Sequence, residues 1–179
     1  MNIEFLKKEY PIQTWINNPI LRTKSKKIEN IDENIRQFSD ILLTLMYEYD
    51  GVWLAAPQIW ENIRMIAITK WDIQGDRYNF IEDKVMINPE IIWHSQEQEI
   101  DEEACLSVPG RKGKVSRFKQ IVVKYQTVDW KIKEEKLSWF NARIVQHEID
   151  HLDGVLFVDK VIQENKVNLS NLVKNVFSK

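Results

Sequence analysis

The sequence predicts an α+β fold. Apolar residues recur at helical spacing near residues 32–50 and 140–153, and short runs rich in β-branched and aromatic residues lie between these two stretches. The runs and the helical stretches do not alternate regularly along the chain. A doubly wound parallel sheet requires such alternation, so the order of elements favours an α+β arrangement.

Chain size and composition indicate one globular domain over residues 1–179. Hydrophobic residues make up 44% and charged residues 29%, a balance that argues against disorder. The formal net charge of −2 creates no strong field, so neither nucleic acid nor a membrane is an expected partner. The single cysteine, Cys105, excludes an intrachain disulfide. Because the sequence contains no signal-peptide pattern and no apolar run of membrane-spanning length, we expect a cytoplasmic protein.

The first long helix is predicted over 32–50. Upstream of it, Pro19 predicts extended or turn backbone, because the residue before a proline is disfavoured in helices. Asn30 or Asp32 can cap the helix, and Gly51 is expected to end it in a left-handed conformation. The apolar positions at helical spacing are Ile35, Phe38, Ile41, Leu42, Leu45, Met46 and Tyr49.

The middle of the chain is predicted to form strands. Residues 65–69 are a short apolar run, and Pro89 separates two further runs at 84–88 and 90–94. Residues 120–128 and 130–137 read as a hairpin that turns at Asp129.

Two further helices are predicted after these strands. One covers 140–153, with Ser138 as its cap and Gly154 as its end. A C-terminal helix is expected over about 161–177, where Ile162, Leu169 and Val173 belong to an apolar stripe.

The pattern Gln146-His-Glu-Ile-Asp-His151 is the strongest indication of function. His147 and His151 lie one helical turn apart, where two imidazoles can bind one divalent ion. Glu148 is offset so that it can act as a general base towards water at that ion. We therefore favour a metal site over two unrelated histidines.

A hydrolytic metal site of this kind needs a third protein ligand. One protease class takes it from a downstream histidine, but Phe157 stands at that position here. Asp159 is compatible with the spacing. Cys105 is the other choice, since it lies in an acidic, polar stretch, although a lone cysteine is more often a buried small apolar residue. A cysteine–histidine nucleophile pair is a weaker alternative, because it gives Glu148 no role.

Residues 51–58 form a third segment, in which small residues follow Gly51 and lead to Gln58. The segment is compatible with a turn packed closely against the core. It is equally compatible with backbone lined up beside a ligand, with the Gln58 amide donating to a developing oxyanion.

These three segments together resemble the peptide deformylase family. The family motifs Gly-x-Gly-Leu-Ala-Ala-x-Gln, Glu-Gly-Cys-Leu-Ser and Gln-His-Glu-x-Asp-His occur here in the same order. They read Gly51-Val-Trp-Leu-Ala-Ala-Pro-Gln58, Glu103-Ala-Cys-Leu-Ser107 and Gln146-His-Glu-Ile-Asp-His151. The similarity extends from about residue 17 to 160.

The resemblance implies mixed or antiparallel sheets packed around a central helix that carries the two histidines. It implies Cys105, His147 and His151 as metal ligands and Glu148 as general base and acid. The side chain of Gln58 and the backbone N–H of Leu106 would hold the oxyanion. The expected enzyme is a metal-dependent hydrolase that removes the formyl group from N-formylmethionine at the start of new polypeptides.

The resemblance also implies cofactor and partners. Fe(II) is the ion expected in the cell, with Zn(II), Ni(II) or Co(II) as alternatives that thiolate and imidazole ligands also suit. The expected partner is an N-formylmethionyl peptide or nascent chain, with contact to the ribosome surface as a further possibility. A monomer is expected.

The substrate would lie along residues Gly51, Val52, Trp53 and Leu54, and Phe140 and Ile144 would line its apolar side-chain pocket. Two positions depart from the family motifs. Trp53 replaces a glycine beside which the substrate runs, so it either points away or fills part of the cleft. Ala104 replaces the glycine before Cys105, a change that is mild only if φ is negative there.

Three hypotheses for function therefore stand. The first is a formyl-peptide hydrolase, and the second is a metallopeptidase, against which Phe157 and the Cys105 motif argue. The third is a non-enzymatic metal domain, or a deformylase-like protein whose substrate has changed or whose turnover is lost because of Trp53. The intact Glu148 argues against a loss of turnover.

Overall fold

The computed structural model describes residues 2–74 and 77–164. Within these ranges the helices are α1 Ile3–Glu9, α2 Glu33–Glu48 and α3 Trp139–Leu152. The strands are β1 Trp53–Ala55, β2 Met65–Gln74, β3 Arg77–His94, β4 Gln98–Ala104, β5 Lys112–Phe118, β6 Gln120–Gln126, β7 Ile132–Ser138 and β8 Val161–Glu164. Short 3₁₀ turns cover Ile20–Arg22, Ala56–Ile59 and Phe157–Asp159.

The strands form two antiparallel sheets. A five-stranded sheet has the order β1-β2-β3-β6-β7, and a three-stranded sheet has the order β4-β5-β8. Helix α3 packs against β1, β2, β6 and β7 of the larger sheet and against β5 of the smaller one. Ten of its fourteen residues are buried. The predicted α+β class with antiparallel sheets around a central helix is confirmed.

Strand β2 separates two core clusters. Met65 and Ala67 face a cluster built with α2, whereas Ile66 and Ile68 face a cluster built with α3. Successive side chains of a strand point to opposite faces, so a strand buried on both faces must be apolar throughout. This explains the continuous apolar run at 65–69 that predicted the strand.

Helix α2 begins as predicted but ends differently. The Asp32 carboxylate accepts a hydrogen bond from the Ile35 N–H at 3.0 Å and so caps the helix. The left-handed residue after the helix is Asp50, with φ of 56°, and not Gly51 as expected. Asp adopts this conformation more readily than most residues, because its short polar side chain can bond locally.

Pro89 does not divide two strands as predicted, because β3 runs through it. The pairing of β3 with β6 shifts between Ile87 and Glu90, which lets the ladder pass a residue that has no N–H. Asn88 has φ of 50° at this shift, and its side chain exchanges two hydrogen bonds of 2.9 Å with the Ile28 backbone. The hairpin of β6 and β7 is confirmed.

Strands β4 and β5 were not predicted. The basic residues 111–114 show no apolar strand pattern, yet Lys112 begins β5. Both strands are rich in charge, and their pairing places Glu99 opposite Arg117 and Glu102 opposite Lys114. Opposite charges on paired strands stabilise a ladder without the apolar pattern on which sequence interpretation depends.

The C-terminal part differs from the prediction at its start. Gly154 ends α3 with φ of 73°, as predicted. Val161–Glu164 form strand β8, so the expected start of a helix at residue 161 is wrong. The remainder of that predicted helix lies outside the described residues. No helix among residues 2–74 and 77–164 is long and apolar enough to cross a membrane.

Gly154 provides a test of the packing after α3. A Cβ at Gly154 would lie 2.6 Å from the Arg22 carbonyl oxygen, whereas a Cβ at Gly110 would meet nothing within 4 Å. Both glycines have positive φ, 73° and 75°. We expect Gly110→Ala to lower the free energy of unfolding by about 1–2 kcal/mol through backbone strain alone. Gly154→Ala should cost about 1–3 kcal/mol more through overpacking.

Urea unfolding of the two variants measures this difference. Equal losses of unfolding free energy in both would contradict the close approach of Arg22 to Gly154.

Candidate metal centre

Two histidines and a cysteine converge beside the buried face of α3. The rings of His147 and His151 are one turn apart, with centroids separated by 5.1 Å. The Cys105 Sγ lies 3.2 Å from His151 Nε2. One ligand atom from each of the three residues falls within a span of 4.8 Å, which suits coordination of a single ion.

Cys105 follows directly on β4, in the loop that leads to β5. Burial and the Glu148 carboxylate raise the pKa of its thiol to about 12, while hydrogen bonds from Ser107 and the Val108 N–H lower it in part. Burial lowers the pKa of His151 well below its ordinary value, so this imidazole is neutral. A neutral imidazole is the form that binds a metal, and a bound metal would deprotonate the thiol.

Several buried polar atoms at this point have no hydrogen-bond partner among the described residues. They are His147 Nε2, His151 Nδ1 and both carboxylate oxygens of Glu148. His147 Nε2 and Glu148 Oε1 are 3.9 Å apart. Burial, followed by the charges of Glu103 and Asp150, raises the pKa of Glu148 well above its ordinary value. Orphaned buried groups of this kind are rare, and His147 Nε2 and the Glu148 carboxylate fit a divalent ion with water beside it, whereas His151 faces Cys105 through its other nitrogen, Nε2.

Glu103 supports His147 from behind. Its Oε2 accepts a 2.8 Å hydrogen bond from His147 Nδ1, which leaves His147 Nε2 available to the site. Arg117 binds the same carboxylate through two hydrogen bonds of 2.9 Å, and Arg143 adds a third of 2.8 Å. Burial would raise the pKa of Glu103, but hydrogen bonds from Arg117 and His147 hold it well below the ordinary value.

Gln58 lies beside Cys105 with a fixed amide. Its Oε1 accepts a 2.8 Å hydrogen bond from the Ala55 N–H, so its NH₂ group must face the other way. That group is 3.1 Å from Ser107 Oγ and 3.5 Å from Cys105 Sγ. The short 3₁₀ turn at Ala56–Ile59 thus brings Gln58 to the metal-binding group as a hydrogen-bond donor.

The first motif contacts the second where Gly51 meets Leu106. A Cβ at Gly51 would be 3.3 Å from Leu106 Cδ1, so a larger residue would press on the loop after Cys105. Val52 is half-buried, and its carbonyl accepts a hydrogen bond from the Thr69 N–H at 2.9 Å. Ala104 has no positive φ and its side chain is exposed, so its replacement of glycine is structurally mild.

The ring of Trp53 lies near both Phe140 and His147. It packs edge-on against Phe140 at 5.7 Å and lies 6.4 Å from the His147 ring. Phe140 in turn meets Tyr78 at 5.8 Å. A neighbouring cavity has a volume of about 340 Å³ and is lined by Ile73, Tyr78, Glu99, Asp101, Trp139, Phe140 and Arg143.

The residues that the sequence singled out therefore fall into two groups. Cys105, Leu106, Gln58 and the residues of the His-Glu-x-x-His pattern lie together, with Trp53 and Phe140 at the edge of the group. Leu54 and Ile144 are fully buried in the two separate core clusters, and neither lines the cavity. Sequence interpretation gave no role to Glu103, Arg117, Arg143 or Ser107. Glu103 and Ser107 were visible only as members of the Cys105 motif, and no pattern in the sequence indicated that Arg117 and Arg143 are buried.

The chain is similar in sequence to proteins of one known family. The family model described as polypeptide deformylase matches residues 10–167. The chain is 44% identical over 149 residues to a peptide deformylase of Dictyoglomus thermophilum, covering 83% of this chain and 91% of that protein. It is 38% identical over 156 residues to one of Finegoldia magna, covering 87% and 92% respectively.

Solved structures give the same result. The Met-Ala-Ser-bound crystal structure of a class I type b peptide deformylase from Acinetobacter baumannii matches with a TM-score of 0.78 and 34% identity. It covers 85% of this chain and 98% of that chain. A peptide deformylase from Thermotoga maritima matches with a TM-score of 0.75 and 38% identity, covering 85% and 97%.

Glu103→Gln tests the ion-pair cluster behind His147. The change leaves the guanidinium groups of Arg117 and Arg143 buried without a full countercharge, so we expect a loss of about 3–5 kcal/mol of unfolding free energy. Glu102→Gln is the matched control. Glu102 is the preceding residue on β4, and its ion pair with Lys112 is exposed, so it should change stability by less than about 1 kcal/mol.

The contribution of Glu103 to the free energy of unfolding is expected to depend on pH. Because the folded-state pKa of Glu103 is lowered, its stabilisation is complete above the ordinary glutamate pKa of 4.5 and is lost as the pH falls further. The stability difference between wild type and Glu103→Gln should stay constant from pH 7 to about 5 and shrink in stronger acid. A difference that grew towards low pH would contradict the assignment.

Proposed function

The chain belongs to the polypeptide deformylase family, and we propose that it removes the formyl group from the N-formylmethionine of newly made polypeptides with a metal ion held by Cys105, His147 and His151. One observation carries the proposal. The orphaned carboxylate of Glu148 lies beside a thiol and two imidazoles that are close enough to share one ion. A purely structural ion would need no unpaired carboxylate at its side.

The proposed ligand set is supported by the chemistry of its donors. One soft thiolate and two imidazoles would hold the ion and leave it open to water, as in hydrolytic centres. When bound, a divalent ion supplies Lewis acidity and allows water to ionise at a pH near 7 rather than 15.7. Thiolate and imidazole suit Fe(II), Zn(II), Ni(II) and Co(II) alike, and we propose Fe(II) as the ion in the cell on the strength of the family resemblance.

Glu148 is the proposed general base and acid. Its carboxylate is fully buried and bonded to no described residue, so both oxygens are free to take a proton from water. The raised pKa lets the same group hold that proton and then deliver it to the leaving amine nitrogen. A carboxylate at its ordinary pKa would be a poorer proton donor near neutral pH.

Gln58 and Leu106 are proposed to stabilise the oxyanion. The Gln58 amide is oriented by the Ala55 N–H, so its NH₂ group is preorganised next to Cys105. The Leu106 N–H belongs to the residue directly after the proposed ligand. Preorganised donors of this kind typically contribute about 10²–10³ in rate each.

The formylated methionine is proposed to bind along Gly51–Leu54, with its side chain towards Phe140. The cavity of about 340 Å³ beside Phe140 is large enough for a thioether side chain, and Trp53 packs against Phe140 and lies beside His147. The similar structure from Acinetobacter baumannii was solved with the peptide Met-Ala-Ser, which begins with methionine. Leu54 and Ile144 support the pocket from the core rather than by lining it.

The remaining parts of the proposal rest on family membership. We propose one catalytic domain over residues 1–179, acting as a monomer in the cytoplasm on nascent chains at the ribosome surface. The family match over residues 10–167 supports the single domain.

Formate release from a short formyl-Met peptide tests the proposed function. With anaerobically prepared protein loaded with Fe(II) or Ni(II), we expect multiple turnovers, and none with the same protein after chelation. Protein that contained one ion per chain but released no formate would contradict the proposed substrate. Trp53→Gly would then show whether the indole is what excludes the peptide.

Glu148→Gln tests the proton transfer. We expect turnover to fall by about 10²–10⁴-fold while one metal ion per chain remains bound, since the amide cannot take a proton. Glu135→Gln is the control, because Glu135 is a partly buried carboxylate paired with Lys70 and Lys84 away from the site. Full activity in Glu148→Gln would eliminate the proposed mechanism.

A further inference from the structure

Arg143 lies on α3 one turn before His147 and is almost completely buried. Its guanidinium makes three hydrogen bonds to groups outside the helix. Nη1 donates to Glu103 Oε1 at 2.8 Å and to the Val115 carbonyl at 3.0 Å, and Nη2 donates to the Glu99 carbonyl at 2.8 Å.

These acceptors belong to the two strands that flank the Cys105 loop. Glu99 and Glu103 are on β4, which ends one residue before Cys105, and Val115 is on β5, which the loop enters. The helix that carries Arg143 also carries His147 and His151. The Arg143 guanidinium therefore joins α3, which carries the proposed ligands His147 and His151, to the two strands that flank the third proposed ligand, Cys105.

Arg143 also completes the bonding of Glu103. Arg117 bonds both oxygens of this carboxylate, and each oxygen then has one further partner. That partner is Arg143 for Oε1 and His147 Nδ1 for Oε2. Because Arg143 occupies Oε1, the carboxylate is held with Oε2 towards His147, which fixes the ring and leaves Nε2 facing the site.

We propose that Arg143 is a positioning residue of the metal centre, which sets the distance between α3 and the Cys105 loop and the orientation of His147. The inference rests on the proposed metal site. A lysine cannot replace this arrangement fully, because one ammonium group cannot span a carboxylate and two carbonyls that a planar guanidinium reaches together.

Metal release from Co(II)-loaded protein tests the inference. Wild type, Arg143→Lys and Arg143→Met are loaded with Co(II), and release to excess chelator is followed together with the visible absorption of the bound ion. Loss of an outer partner of a metal ligand typically costs 10–100-fold in metal affinity. We expect Arg143→Met to release Co(II) about 10–100-fold faster than wild type, with a shifted absorption spectrum, and Arg143→Lys to lie between them.

Arg64→Lys is the matched control. Arg64 is also a buried arginine that bonds α3, but at the other end of the helix, through the Leu152 carbonyl and Asp153. It does not contact Glu103. We expect Arg64→Lys to reduce stability while its Co(II) spectrum and release rate remain those of wild type.

The outcomes separate the inference from the proposed function. Wild-type protein that binds no Co(II) would overturn the metal site, and the role of Arg143 with it. Wild-type binding together with unchanged release from Arg143→Met would overturn only the role of Arg143. If Arg143→Met does not fold, Arg143→Lys decides, and release no faster than from Arg64→Lys would contradict the inference.

Discussion

The structure depends on burying a polar helix. Helix α3 lies between both sheets, yet it carries Arg143, Gln146, His147, Glu148 and His151 on its buried surface. Polar groups removed from water must find partners inside the protein or remain at a high cost. Gln146 bonds the Phe118 backbone and Arg143 bonds β4 and β5, so the satisfied groups attach the helix to both strands. The groups that stay unsatisfied are those that converge beside Cys105.

Sequence interpretation succeeded where a local rule applied. Two histidines at i and i+4 must share a helix face, and Glu148 must lie beside them, whatever the rest of the fold. Cys105 lies 42 residues before His147 in the chain, and residue spacing alone left Asp159 open as a ligand. The resemblance to a family supplied that choice. The structure places Asp159 in an ion pair with Arg22 instead.

Interpretation failed where the stabilising partner is distant in sequence. Strand β4 is polar in composition, so its sequence shows no strand pattern. The strand is stable because its buried carboxylate, Glu103, is neutralised by Arg117 from β5 and Arg143 from α3. No pattern within β4, β5 or α3 taken alone indicates these ion pairs. The expected helix start at 161 failed similarly, since Val161 pairs with Val115 and contacts Gly113, a residue with no side chain to obstruct it.

Because β2 is buried on both faces, hydrophobic burial alone does not fix its register against β3. In a strand with one apolar face, slipping by one residue exposes that face to water and is penalised. Met65–Ile68 is apolar on both faces, so such a slip would replace one apolar surface by another and carry little penalty. Alignment must therefore be specified by polar contacts further along the hairpin. Thr69 hydrogen-bonds Asp83 directly across from it, and Tyr47 bonds the same carboxylate from α2. These polar contacts select one register between β2 and β3 where the apolar side chains would accept more than one.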